Sequence, residues 1–333
     1  MGQFMIKRAL LMIPTMVAIS FVAFLIITLP PGDFVDRIAA TAAQDGDRMT
    51  DAEISALREA YGLNRPLLVQ YADWVWGMVS RGDFGTSFFY SLPVDQLIWD
   101  RLGLTSLLSI LTLVFIWIVA IPIGIYSAVR KYSLGDYVFT FFGFIGLAVP
   151  NFLLALALLY ISFRYLGLSV GGLFSPEYID APWSLAKFGD LMAHIWIPMI
   201  VLGTAGTAAV IRTIRANLLD ELHRPYVTTA RAKGMPEHRV LAKYPVRHAL
   251  NPFVSSLNEI FVQIVSGSTI VSVVLGLQTT GPLLLEALKQ EDMYLAATLI
   301  MFLGFMTVIG TLFSDILLAW LDPRIRRELS GGS

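Results

Sequence analysis

Apolar runs divided by short charged segments set the pattern of this chain. Five runs carry no Asp, Glu, Lys or Arg: Ala9–Leu29, Leu104–Val129, Val138–Phe163, Ile195–Ile211 and Ile260–Leu277. A sixth, Leu295–Trp320, holds one ionisable residue, Asp315. A helix needs about 20 mainly apolar residues to cross the hydrocarbon core, so each run is a candidate span. The pattern predicts an all-α polytopic membrane protein with six transmembrane helices. The core is expected over 104–320, with spans at 104–129, 138–163, 195–211, 260–277 and 295–320 after a first span within 1–29. The fourth and fifth runs are short and rich in Gly, Ser and Thr. The first run exceeds the 7–15 residues of a signal-peptide core, and Pro30-Pro31-Gly32 follows it in place of a small-residue cleavage site. It is expected to stay as an uncleaved first helix.

Between the first two spans, residues 30–103 have their own helix signals and predict a small helical cap. Thr50-Asp51-Ala52-Glu53 reads as a capping box, in which Thr50 and Glu53 satisfy free backbone N–H groups. Ile54, Leu57 and Tyr61 then form one face, and Gly62 ends the helix. Pro66 starts a second helix with an apolar stripe of Leu67, Leu68, Tyr71, Trp74, Val75 and Met78. Trp74 and Trp76 are expected at the membrane interface, where an indole ring buries its body and keeps its N–H wet. A third short helix, Val94 to Leu102, should lead into the second span.

Charge supplies a direction. Lys7 and Arg8, Arg130 and Lys131, the segment 212–253, and Arg324, Arg326 and Arg327 of the tail 321–333 all fall on one side of a six-span chain. That segment holds Arg212, Arg215, Arg224, Arg231, Lys233, Arg239, Lys243 and Arg247. The two shorter alternate loops hold only Arg164 and Lys187, and Lys289, and the 30–103 segment carries more Asp and Glu than Arg. The positive-inside rule therefore puts both termini in the cytoplasm and the 30–103 cap outside.

Composition agrees with a membrane class: 56% of residues are hydrophobic and 15% charged, against roughly 45–50% and 25% in soluble domains. The net charge of −1 gives no global field and no sign of nucleic acid as a partner. With no cysteine, disulfides, thiolate metal sites and cysteine nucleophiles are excluded. No GxxxxGK[ST] phosphate loop occurs, so the chain cannot hydrolyse ATP in the usual way. His223, His238 and His248 have spacings unsuited to a metal, and His194 reads as a boundary residue. Proton-driven pumps place ionisable groups mid-span; Asp315 lies near one end of its helix and is expected to pair structurally. The spans thus offer a path without an evident energy source.

The stretch "YVTTARAKGMPEHRVLAKYPVRHALNP", residues 226–252, is the most polar part of the core. Tyr226–Lys233 is expected to be helical, Gly234 to cap it, and Pro236 to start a second helix that Pro245 bends or restarts. Arg239, Lys243 and Arg247 repeat every four residues and share one face. Ala230 and Ala232 keep the first helix thin enough for a partner's groove to approach. The simpler reading is a positive-inside loop that attracts anionic lipid.

This segment resembles the cytoplasmic EAA-type loop of binding-protein-dependent ABC importer permeases, especially the oligopeptide/dipeptide permease family, whose form often reads "YVxTARAKG". Thr228-Thr229 replaces the Glu-Ala of the general pattern. The resemblance extends through "LPPGDF" (29–34), "YGLNRPLLVQYADWV" (61–75), "GDFGTSF" (82–88), "IPIGIYSA" (121–128), "VPNF" (149–152), "GLQTTGPLLLEALKQEDM" (276–293) and "LDPRIR" (321–326). It implies the type I importer fold. It also implies a second homologous permease, two ATPases below and a solute-binding protein outside, in the bacterial inner membrane. ATP and Mg would be used by the ATPases; none is expected on this chain. By position, the coupling helix would span 224–234, with Tyr226, Thr229, Ala230, Arg231, Ala232, Lys233 and Gly234 as coupling residues.

Small polar strips at Ser266, Ser268 and Thr269, and at Thr204 and Thr207, are the candidate pathway residues; close helix packing by small residues is the plainer reading. The resemblance implies a peptide cargo ahead of an oligosaccharide or glycoside. A stand-alone channel or passive carrier is the reading from a different class.

Overall fold

Helix ends in the 30–103 segment sit where backbone capping places them. The computed structural model describes residues 2–29, 32–46, 48–167, 171–251 and 257–321. Thr50 and Glu53 form the expected capping box at the start of α3 (Asp51–Ala60). Pro66 precedes α4 (Leu67–Arg81), which ends on Gly82 in the left-handed region, φ +69°. An additional helix, α2 (Phe34–Gln44), is started by a second capping box between Asp33 and Asp36. Among the described residues, the only extended pairing is a single bridge between Thr86 and Pro93.

The long apolar helices are α1 (Gly2–Thr28), α5 (Val94–Val129), α8 (Leu185–Leu222) and α14 (Met293–Leu321). Among the described residues, four helices are long and apolar enough to cross a membrane by themselves, and six spans result if each of two broken helix pairs crosses once. The first pair is α6 (Leu134–Ala148) with α7 (Asn151–Ile161); the second is α12 (Leu257–Leu275) with α13 (Thr280–Lys289).

Three expectations about helix bounds need correction. Val138–Phe163 is not one straight span: α6 and α7 meet at 107°. Val149 leaves the helix at φ −83°, ψ +121°, because the ring of Pro150 disfavours helical backbone in the residue before it. Val94–Leu102 is not a separate helix, since it runs without a break into α5. The fourth run lies inside a helix of 38 residues, which continues well past Ile211 on one side and before Ile195 on the other.

The chain divides into two units. One comprises Ala9–Leu104 and Thr279–Met306. Its aromatic core stacks Phe24 on Trp74 at 5.9 Å and sets Phe88 against Tyr61, Phe34 and Tyr294 at 4.8, 5.3 and 5.2 Å. Trp74 is only 4% exposed and donates its indole N–H to the Phe84 carbonyl at 3.2 Å. It is a core residue, not an interface anchor, since its one polar group is satisfied inside the protein. Trp76 stays exposed.

A buried joint closes this unit. Asp292 precedes α14 and accepts hydrogen bonds from Ser87 Oγ at 2.5 Å, Phe89 N–H at 3.1 Å and Leu295 N–H at 3.3 Å. "GDFGTSF" and "EDM", far apart in the chain, therefore meet in one hydrogen-bonded corner.

The other unit comprises Met1–Arg8, Thr105–Gln278 and Thr307–Ser333. Its core gathers Ile116 and Ala120 of α5, Val210 and Ile214 of α8, and Ile260 and Ile264 of α12. Small residues bring these helices close: a side chain at Gly203 would meet Phe115 at 2.7 Å, at Gly206 Ile116 at 2.8 Å, and at Gly146 Thr204 at 2.7 Å. Large apolar side chains on α6 and α7, among them Phe141, Phe142, Phe144 and Leu153, stand exposed. Such a surface suits hydrocarbon or a partner helix rather than water.

Candidate functional site

The polar segment begins where α8 ends. His223 closes α8, and Pro225 starts α9 (Pro225–Ala232) in the first helical position, where its missing N–H costs nothing. Lys233 caps α9, and Gly234 then turns the chain at φ +73°, a conformation that glycine adopts without a Cβ penalty. Pro236 caps α10 (Glu237–Lys243). The chain breaks at Tyr244 (φ −118°, ψ −81°) before α11 (Pro245–Ala249). Arg247 therefore sits on a different helix from Arg239 and Lys243, and the expected common face is divided. Pro252, expected to end this region, lies outside the described residues, as do Pro30 and Pro31 and the "DPRIR" residues after Leu321.

Two short helices cannot hold together by propensity, because isolated helices of this length are marginal in water. Here they share a small core: Val227 and Val240 are fully buried and Ala230 is 6% exposed, with Tyr226, Met235 and Tyr244 around them. Arg231 grips Glu237 with two hydrogen bonds, 3.1 Å from Nε and 2.6 Å from Nη2. Those bonds hold the Glu237 carboxyl below its usual range and the Arg231 guanidinium above its own. Tyr226 donates its hydroxyl to Glu221 at the end of α8. Burial, with that carboxylate beside it, pushes the phenol up to about 12, so it keeps its proton.

The segment is seated on the bundle through α11. Ala249 of α11 packs with Leu218 of α8 and Ala128 of α5, flanked by Val246, Leu222 and Ile125. Of the seven candidate coupling residues, Thr229, Arg231, Ala232, Lys233 and Gly234 are exposed, while Tyr226 is half-buried. Ala230 faces inward against Val240, so its small side chain serves the packing inside the segment. Thr228 is also exposed, and the Thr229 hydroxyl donates to the Pro225 carbonyl at 2.9 Å.

The pathway candidates divide. Ser268 is buried and bonds its own helix at Val265 O, 2.7 Å. Thr204 does the same at Ile200 O, 2.6 Å, with its methyl against Gly146. Thr207 is buried, with no hydrogen-bond partner for its hydroxyl among the described residues. Thr269 is half-buried, and the side chain of Ser266 lies outside the described set. Asp315 is half-buried on α14, and His194 is 7% exposed with Nδ1 2.8 Å from the Asp190 carbonyl. A small recess that these strips did not anticipate is lined by Asn151 of α7, Gly206 and Ala205 of α8, and Gln263 of α12. Its signals were a Pro-Asn pair inside an apolar run and one amide in the fifth run.

An all-helical chain with spans of this kind, two of them broken and a folded polar segment seated on the bundle, is a polytopic membrane protein. The chain belongs to the family described as binding-protein-dependent transport system inner membrane component, which matches residues 120–327; residues 1–110 match the N-terminal region of such a membrane component. It is 36% identical over 327 residues to the oligopeptide transport system permease protein AppB of Bacillus subtilis, covering 98% of this chain and 99% of that protein. It is 33% identical over 330 residues to a putative peptide permease protein of Brucella ovis, covering 98% and 99%. To the oligopeptide transport system permease protein OppB of Mycobacterium tuberculosis it is 32% identical over 290 residues, covering 85% and 88%.

Proposed function

We propose that this chain is a permease subunit of a peptide importer, forms half of the translocation path, and takes its energy from separate ATPases. The observation that carries the reading is end-to-end similarity to peptide permeases, with the most polar core segment folded into short helices on the end of α8. In this reading a second permease completes the path, a solute-binding protein delivers peptide to the face bearing the α2–α4 cap, and the ATPases bind ATP and Mg. The segment 224–234 lies in the cytoplasm with both termini and docks on an ATPase through Thr228, Thr229, Ala232 and Lys233. The Arg231 charge is already engaged by Glu237, so Arg231 shapes the segment more than it meets the partner. The recess at Asn151 and Gln263 joins Thr207 as the place to look for peptide contact.

The test is uptake into proteoliposomes holding the chain, its partner permease, the ATPases and the cognate binding protein. ATP-dependent uptake of peptides and not of oligosaccharides supports the reading. Uptake without ATPases would make the chain a passive carrier and overturn it. Because the chain has no cysteine, single cysteines in place of Lys233 and Glu59 give the topology directly. An impermeant maleimide should reach them from opposite sides of the membrane.

A further inference from the structure

The α5–α6 turn is tied to α8 by a clamp that the coupling segment does not explain. Asp136, in the first turn of α6, is 2% exposed. Arg215 of α8 meets it in a two-pronged pair, Nε to Oδ1 at 2.9 Å and Nη2 to Oδ2 at 2.8 Å. The same carboxylate accepts the backbone N–H of Tyr132 at 2.9 Å, and the Asp136 N–H donates to Ser133 Oγ at 3.2 Å. Tyr132 is itself held at φ +64°, where a side chain is disfavoured. One carboxylate thus fixes the turn and α8 together. A two-pronged charged pair also fixes orientation, which a single contact does not.

The clamp is one of two pins. At the far end of α6, Gly146 lies against Thr204 so closely that a Cβ would fall 2.7 Å from the Thr204 methyl. Counting along the helices, 146 − 136 gives 10 residues on α6 and 215 − 204 gives 11 on α8, so the helices are held together over nearly the whole of α6. The residue before Arg215, Ile214, packs against Gly124 of α5, where a Cβ would fall 2.9 Å away. From Arg215, α8 continues unbroken for 222 − 215 = 7 residues, about 10 Å at 1.5 Å per residue, before the coupling segment begins.

The geometry points to Asp136 and Arg215 as the positioning pair that makes α5, α6 and α8 move as one body when the coupling segment is displaced. This rests on the importer reading. A push on α9 or α11 enters α8 at its end; without the clamp α8 could turn against α6 and the stroke would be lost.

The experiment measures peptide taken up per ATP hydrolysed in the complete complex. Asp136→Asn keeps the side chain's shape and removes its charge. It should leave ATPase binding intact and lower the ratio by about two- to thirty-fold, the range that residues along a coupling route produce. Arg215→Lys keeps the charge without the fork, and its loss should be smaller than that of Asp136→Asn but measurable. A second arm does not depend on a weakened fold. Gly143→Cys with Ala208→Cys, in a chain free of cysteine, places the two Cβ atoms about 3.8 Å apart across α6 and α8, the separation a disulfide needs. The bond should form on oxidation and the variant still transport, because α6 and α8 already travel together. An unchanged ratio in Asp136→Asn, or transport blocked by oxidation and restored by reduction, overturns the clamp. If Asp136→Asn fails to assemble, Arg215→Lys and the disulfide decide. Absence of ATP-driven uptake by the unaltered chain would instead remove the importer reading beneath it.

Discussion

Replacing Asp292 by Ala should open the 85–93 loop, and the structure says by how much. Asp292 is fully buried, and its carboxylate takes Ser87 Oγ, Phe89 N–H and Leu295 N–H. Ser87 is also fully buried, so its hydroxyl cannot turn to water. Hydrogen bonds to a charged group contribute about 1.5–3 kcal/mol each. The 3.3 Å bond to Leu295 is long and counts for little. The two shorter ones together set the loss at about 3 kcal/mol, a large share of the roughly 5–15 kcal/mol that holds a typical protein folded. Val94 is fully buried while this corner is closed, which makes it the place to measure. A cysteine there, the only one in the chain, reacts with maleimide at a rate set by opening. Each 1.4 kcal/mol is tenfold, so Asp292→Ala should label about a hundred times faster. Asp292→Asn can keep its carbonyl oxygen toward Ser87 and Phe89 but loses the charge and turns its NH2 toward the Leu295 N–H, and should fall between. A rate within about threefold of the parent in the Ala variant, under 1 kcal/mol, would refute the joint.

Two more predictions concern the 224–249 segment, proposed above to dock on an ATPase. Gly234→Val puts a branched side chain at φ +73° with open space around it, so the cost is backbone strain alone, about 1–2 kcal/mol; ATPase affinity measured by titration should fall about tenfold, and less for Gly234→Ala. The Glu237 carboxyl is held below its ordinary value by the Arg231 hydrogen bonds, so its stabilisation is full above that ordinary value and is lost as pH falls through the lowered one. Both partners are about half exposed, which limits the effect to about 0.2–1 kcal/mol. Exchange of the Val240 amide, corrected for intrinsic rate, should speed up by no more than about fivefold below about pH 4, and Glu237→Gln should remove that step.

How much was legible follows from whether a signal is local. The capping box at Thr50, the stop at Gly62 and the turn at Gly234 depend on neighbours within four residues, and all three stand in the structure. The second box, at Asp33, is harder to see because Asp36 replaces the more familiar Glu or Gln. Apolar length located the spans but not their breaks. Pro122 and Pro198 lie inside continuous helices while Pro150 divides one, and composition gives no means to tell them apart. Burial of Trp74 and the inward turn of Ala230 depend on partners farther along the chain: Phe24 and Phe84 for one, Val240 for the other.

The resemblance motifs change meaning once their residues are placed. Ser87 of "GDFGTSF" and Asp292 of "EDM" serve one buried joint; Ala230 of "TARAKG" packs inside the α9–α10 pair. Gly206 packs on Ile116 and also borders the Asn151–Gln263 recess. Groups so engaged are poor candidates for reading a solute: Ser87 and Asp292 spend their hydrogen bonds within the chain, and Ala230 and Gly206 offer only packing. A peptide backbone needs donors and acceptors that can exchange partners, and the amides of Asn151 and Gln263 supply both kinds at a recess beside a helix break. Irregular backbone at membrane depth is tolerated where it lines a cavity or is buried in protein. If those amides touch peptide, Gln263→Leu should raise KM for uptake while leaving ATPase docking and the Asp136–Arg215 clamp as they are. Selectivity and energy coupling would then be separable on this chain, the first at the break beside Pro150 and the second along α8.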